Sequence, residues 1–178
     1  MMAVHYMAHR INLAVQPLSN LPIVAKLENL CQAMYSYFSI SSKRHLRFQK
    51  LADIVKTEGL RMLRNVATRW ISLLEPLKRV IGGYKTLIVK MCEDAHTKEP
   101  NQTTKQAAAR ECARLNCDLL CDVSTLLALP CLLPLLESVN SLIKYAQSSH
   151  VYVSDYIAAV RICQAELYMM YVDTESSF

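Results

Sequence analysis

A hydrophobic repeat of period near 3.6 runs through almost the whole chain and constrains the fold most. The stretch from Pro22 to Phe38 sets the pattern. Ile23, Val24, Leu27, Leu30, Cys31, Met34, Tyr35 and Phe38 fall at i, i+3, i+4 and i+7, the apolar stripe of an amphipathic helix. Ser19 or Asn20 can cap this helix, and Pro22 suits its first turn. Strand-like alternation is confined to "SSHVYVS" at 148–154, which has room for a short extended piece only. Three glycines in 178 residues leave little material for a turn-rich β fold.

The same repeat predicts the other elements. "HYMAHRINLAV" at 5–15 reads as a first helix over 3–16. Ser41 or Ser42 caps a second stretch with Leu46, Leu51, Ile54 and Val55 as its face, running to Glu58 and stopped by Gly59. "LRMLRNVA" is a connector. Thr68 then caps a long helix through Trp70, Ile71, Leu74, Leu77, Ile81, Tyr84, Ile88 and Met91, with a kink expected at Pro76 and weakening at Gly82-Gly83. "EDAHTKEPNQTTKQ" is the clearest loop. A helix follows over 104–129, with Cys112, Leu115, Leu119, Val123 and Leu126 as its face. Another runs from Cys131 to Gln147, and a last one starts at Ser154 or Asp155 with Ile157, Val160, Cys163, Leu167 and Tyr171. The expected architecture is all-α, a single irregular bundle of about six or seven helices.

With 52% hydrophobic and 20% charged residues the chain is globular in composition, not disordered. The net charge of +5 permits nucleic-acid contact without requiring it. Seven cysteines, none in C-x-x-C spacing, read as reduced, buried thiols of a nuclear or cytoplasmic protein. The N-terminus lacks the apolar core and cleavage site of a secretory signal, so secretion is not expected. The charge-free run Val123–Leu136 is short for a bilayer and holds Pro130 and Pro134, so no membrane partner is expected.

Catalytic patterns are missing. His5 and His9 stand four apart on one helix face, but H-E-x-x-H chemistry also needs a glutamate, and Tyr6, Met7 and Ala8 lie between them. Cys112, Asp118, Cys121 and Asp122 resemble a metal set on paper only, on an apolar helix face without histidine. No nucleophile elbow or glycine-rich phosphate loop occurs. Neither a cofactor, a metal nor a small-molecule substrate is expected. "TRW" at 68–70 has two readings. Arg69 can face phosphate at a helix N-terminus while Trp70 stacks on a base. Equally, Thr68 caps, Trp70 anchors the core and Arg69 is solvated.

Three pieces together resemble one family: "HYMAHRINLAV" at 5–15, "MYSYFSISSKRHLRFQKL" at 34–51 and "TRWISLLEPLKRV" at 68–80. Their order and spacing are similar to the middle of hAT-superfamily DNA transposases and of host proteins derived from them. "YVDTESSF" at 171–178 is similar to a further family phrase. The resemblance is strong over 5–90 and weaker beyond.

That resemblance implies a helical domain inserted into a ribonuclease H-like core. Residues 1–17 would be a remnant helix of the core and 18–178 the insertion-type domain. His9 takes the position of the family's C-x-x-H histidine, with Tyr6 where the cysteine belongs. Arg69 and Trp70 take the positions of its R-W pair. The first two catalytic aspartates would precede His9, yet residues 1–27 hold no acidic residue. The catalytic glutamate would follow the insertion. Two-metal phosphoryl transfer needs clustered carboxylates, so the expectation is a non-catalytic, transposon-derived fragment and not an enzyme. DNA is the first expected partner, through Arg69, Trp70, Lys43, Arg44, Arg47 and Lys50. The alternatives are a module that associates with related transposase-like proteins, or a truncated gene product without function. Without a core sheet, the first helix is expected to expose part of its apolar face, as a stability liability or a partner surface.

Overall fold

The structure, a computed structural model, describes residues 2–64, 70–97, 103–148 and 151–173, and at residues 2–6 and 70 the backbone alone. Eight α-helices and no strand occur among the described residues. They are α1 (Met2–Val15), α2 (Pro22–Ser39), α3 (Ser42–Val55), α4 (Leu74–Gly82), α5 (Tyr84–His96), α6 (Thr104–Cys121), α7 (Val123–Ala146) and α8 (Val153–Tyr171). Short 3-10 turns at Gln16–Asn20 and Trp70–Leu73 precede α2 and α4. The all-α expectation holds. Residues 98–102 of the expected loop, and the expected cap Thr68, lie outside the described residues.

The axis of the bundle is α7, on which α1, α2, α4, α6 and α8 all pack. Its Leu129, Leu132, Leu136, Val139 and Ile143 are buried. One helix replaces the predicted junction between Leu129 and Cys131, because neither Pro130 nor Pro134 ends it. Each proline deprives the carbonyl four residues earlier of its donor. Leu126 and Pro130, which own those carbonyls, are exposed, so water can reach the gap. The continuous helix of 24 residues is long and apolar enough to cross a membrane, which overturns the argument from length, and a third of its apolar window is buried inside the fold.

The predicted break falls instead at Asp122. There the carboxylate accepts from the Thr125 amide at 2.8 Å and caps α7. The predicted face of the preceding helix is also corrected. Ala113, Asn116 and Leu120 point inward, whereas Leu115 and Val123 are exposed. The α6 helix packs closely against α5, where the Tyr84 hydroxyl donates to the Leu120 carbonyl. Leu119 of the predicted face packs against the core, and the buried centre lies about a quarter-turn round the helix from that face.

Two further elements differ for local reasons. Pro76 sits in the first turn of α4, where its missing N–H costs nothing, so it causes no kink. The chain breaks at Gly82-Gly83. A Cβ on Gly83 would lie 3.2 Å from the Phe48 ring and 3.3 Å from the Glu58 carbonyl, so a side chain there would be crowded by Phe48 of α3 and the segment that follows α3. In α3 the buried residues are Phe48 and Ala52, while Leu46 and Ile54 are exposed. Phe48 turns the helix inward, its ring packed at a tilt of 49° against that of Phe38 at 5.0 Å between centroids. This helix ends at Val55 because Lys56 takes a left-handed conformation, three residues before Gly59.

The α2 stripe is close to its expected form, with Tyr37 buried and Tyr35 only partly so. Its N-cap is Leu21 without a side-chain bond, since Ser19 donates to the Gln16 carbonyl within the 3-10 turn. Ala8 and Ile11 of α1 join the same hydrophobic cluster as α2 and α7. Leu13 of α1 is exposed. The cysteines divide: Cys31 and Cys163 are buried, Cys92 and Cys117 half-buried, and Cys112, Cys121 and Cys131 exposed, which corrects the expectation of generally buried thiols.

Candidate nucleic-acid interface

The candidate interface begins with the helical period of α3. Lys43, Arg47 and Lys50 are spaced i, i+4 and i+7, so they share one stripe. Phe48 and Ala52 occupy the opposite side and fix that stripe outward. All three cations are exposed and make no ion pair among the described residues.

Arg44 has a different environment. Its guanidinium lies 4.3 Å from the centroid of the Tyr37 ring and donates to the Tyr37 carbonyl at 3.0 Å. These contacts lock the α2–α3 corner. The Tyr37 hydroxyl donates to Asp94 at 2.5 Å, and the Lys90 ammonium holds the other Asp94 oxygen at 2.5 Å. Burial first, and then the Asp94 carboxylate, push the Tyr37 phenol well above its ordinary range. Lys90 is 3% exposed, a buried cation that needs Asp94 as its partner. A chain of Arg44, Tyr37, Asp94 and Lys90 therefore joins α2, α3 and α5.

Two adjoining depressions open beside this chain. The larger, about 640 Å³, lies between α3 and α5 and includes Arg47, Lys50, Ile54, Lys90 and Glu93. The smaller, about 170 Å³, lies at the start of α6 and includes Arg44, Arg47, Gln106 and Arg110. Arg47, Asp94 and Thr97 line both, so the two form one groove. Among the described residues its cations outnumber its carboxylates, Glu93 and Asp94, and Asp94 is already neutralised by Lys90.

Arg44 and Arg47 are brought together in this groove, with Lys50 beside them and Lys43 one turn back on α3. Arg69 lies outside the described residues, and at Trp70 the backbone opens a 3-10 turn. His9 is exposed on α1. No group of three His, Cys, Asp or Glu side chains able to hold a metal ion occurs among the described residues. Sequence reasoning missed Tyr37, Lys90, Asp94 and Arg110. One signal for two of them was available: Lys90 interrupts the apolar run Leu87–Met91 and has Asp94 four residues on. Arg110 carries no such mark, because only the packing of α6 on α5 brings it to the groove.

Fold and site define an all-helical protein with a cationic groove on one face. No protein-family model, curated protein or solved structure matches the chain.

Proposed function

We propose that the protein binds the phosphate backbone of DNA through the α3–α5 groove, as a non-catalytic, transposon-derived relative of hAT-type transposases. The observation that carries this reading is the exposed, unpaired row Lys43, Arg47 and Lys50, continued by Arg110 across the groove. From Lys43 to Lys50 the row is about 10 Å long, the axial span of about three phosphates of one strand. Among the described residues its cations form no ion pair, so their charge is available to displace counterions. Contact between such a row and phosphates is independent of sequence. The resemblance adds Arg69 and Trp70 as further contacts and a nuclear location.

The test is fluorescence anisotropy of labelled DNA titrated with the full chain over a series of salt concentrations. Expected is a Kd of about 10⁻⁴ to 10⁻⁶ M and a log–log salt slope of about −2 to −3, for about three neutralised phosphates. Replacing Lys43, Arg47 and Lys50 together by Gln should abolish most of that slope. Absence of binding at low salt, or a slope unchanged in the triple variant, would overturn the reading.

A further inference from the structure

The last helix, α8, is apolar on two opposite sides. Tyr156, Val160, Cys163 and Leu167 form the inner seam, which packs on α7 with Cys163 buried and Tyr156 against the core. The Tyr171 hydroxyl donates to the Cys131 carbonyl at 2.5 Å and fixes the far end. A second seam runs along the outer side through Ala158, Ile162, Ala165 and Met169 and ends on Val172 at the C-cap, at spacings of 4, 3, 4 and 3. This is the a/d repeat of a coiled coil. All five residues are exposed, Ile162 at 60%, Met169 at 54% and Val172 at 58%. A helix that is apolar all round is ordinarily buried on both sides.

We infer that the outer seam of α8 is a self-association surface that pairs with α8 of a second copy in a parallel, in-register coiled coil. Charge chooses the occupant and its direction. With Ile162 and Met169 at a, and Ala158, Ala165 and Val172 at d, Arg161 falls at g and Glu166 at the following e. Those positions face each other across a parallel two-stranded coil. A two-fold axis along the seam therefore gives two Arg161–Glu166 pairs, one on each side. An antiparallel pairing sets g against g and e against e. The other g positions are Ser154 and Tyr168, and the flanking e positions are Ala159 and Asp173, so neither charge would meet an opposite one. Arg161 and Glu166 form no ion pair within the chain among the described residues.

The seam is about 21 Å long, two heptads, too short to hold isolated peptides together. Here the helix is already ordered by α7, so pairing need not supply the cost of folding it. The alanines at d permit close approach of the two backbones. The contact falls in the small class below about 1,200 Å², so a weak, concentration-dependent dimer is expected.

Sedimentation equilibrium of the full chain, from micromolar to millimolar, is the test. A monomer–dimer equilibrium is expected. Ile162→Lys should weaken it by about tenfold or more, because each copy then presents a lysine at the a position. Circular dichroism of that variant should match the parent, since Ile162 makes no part of the core. Arg161→Glu or Glu166→Arg alone should weaken the dimer by about threefold to tenfold, and the double exchange should restore it to within about twofold. With Cys112, Cys121 and Cys131 replaced by Ser, Ala158→Cys should cross-link to itself under mild oxidation, as a parallel register requires. A monomer at every concentration, a dimer indifferent to Ile162→Lys, no rescue by the double exchange, no Ala158→Cys cross-link, or partition into phosphatidylcholine vesicles in place of self-association would each overturn the inference.

Discussion

Around α2, α3 and α5 the elements are joined by polar bridges as well as apolar packing, while α8 rests on α7 through side chains that are mostly only half-buried. On the first side, Arg44, Tyr37, Asp94 and Lys90 form a connected chain beneath the groove, and the Thr57 and Thr86 hydroxyls meet behind it. On the second, Cys163 is the one buried residue of α8, and its outer face is apolar and exposed. Hydrogen bonds are directional and fix one arrangement, so the first side can hold a charged row in a defined place. Apolar contact is non-directional and can be extended by a further partner. The cationic face is therefore built to stay put, and the α8 face is the one left with surface to bury.

Core truncation gives the largest contrast between the two sides. Phe48→Ala removes the buried anchor of α3 and should destabilise the chain by about 3–5 kcal/mol in urea unfolding. Ile162→Ala, at dilution where the chain is monomeric, should change stability by no more than about 0.5 kcal/mol. Equal costs at the two positions would erase the distinction between a sealed side and an open one.

Next in size is the polar bridge. Asp94→Ala leaves the Lys90 ammonium buried without its carboxylate and removes the acceptor of the Tyr37 hydroxyl. The pair is not fully enclosed, Asp94 being 18% exposed. The expected loss is therefore about 2–3 kcal/mol, below that of a completely buried pair. Restoration of stability by the further change Lys90→Met would show that the stranded charge was the cause. A loss unaffected by that change would sink the argument.

The helical repeat of α2 was legible because its stripe is made of large apolar side chains, and all but Tyr37 of its buried face was read correctly. The faces of α3 and α6 were not legible, because Ala52, Ala113 and Asn116 are small or polar and gain their buried places from the approach of a neighbouring helix. Likewise, Pro76 marks a kink in one dimension and a first turn in three. The row Lys43, Arg47 and Lys50 was visible as local charge. The groove that gives it a shape depends on α5 and α6, tens of residues away, and no local pattern encodes that approach. The outer seam of α8 was present in the sequence, but its 3.5 spacing merges with the inner stripe until the fold shows which side α7 takes.

Thiol chemistry gives a finer, site-by-site comparison. Burial pushes the Cys31 thiol up to about 12, and burial followed by the neighbouring Cys92 and Cys121 thiols raises Cys117 to about 12 as well. The Sγ atoms of Cys92 and Cys117 lie 3.1 Å apart between α5 and α6. Only the thiolate alkylates, and at pH 8 a thiol of that pKa is ionised to about one part in ten thousand. Brief iodoacetamide treatment of the native chain should therefore label Cys112, Cys121 and Cys131 first, and Cys31 and Cys117 last. Peptide mass mapping reads the order, and early labelling of Cys31 would mean that the α2 side opens more readily than its packing implies.

The smallest expected effect lies where the two sides meet. Asp122 caps α7 and accepts from the Lys26 ammonium of α2 at 2.5 Å, so one carboxylate joins both regions. The Lys26 ammonium first, then the Ser124 hydroxyl and the Thr125 amide, hold the Asp122 carboxyl well below the ordinary carboxylate range. In the unfolded chain it takes up a proton near pH 3.9, whereas in the folded chain it remains ionised to lower pH. Between those values the unfolded state binds more protons, so stability rises with pH. The contribution is complete above the unfolded value and is lost as pH falls through the folded one. Asp122→Asn retains a capping side chain but cannot carry the charge. Urea midpoints measured from pH 5 down to pH 2.5 should fall less steeply for this variant than for the parent. Parallel curves would assign the acid sensitivity to other carboxylates.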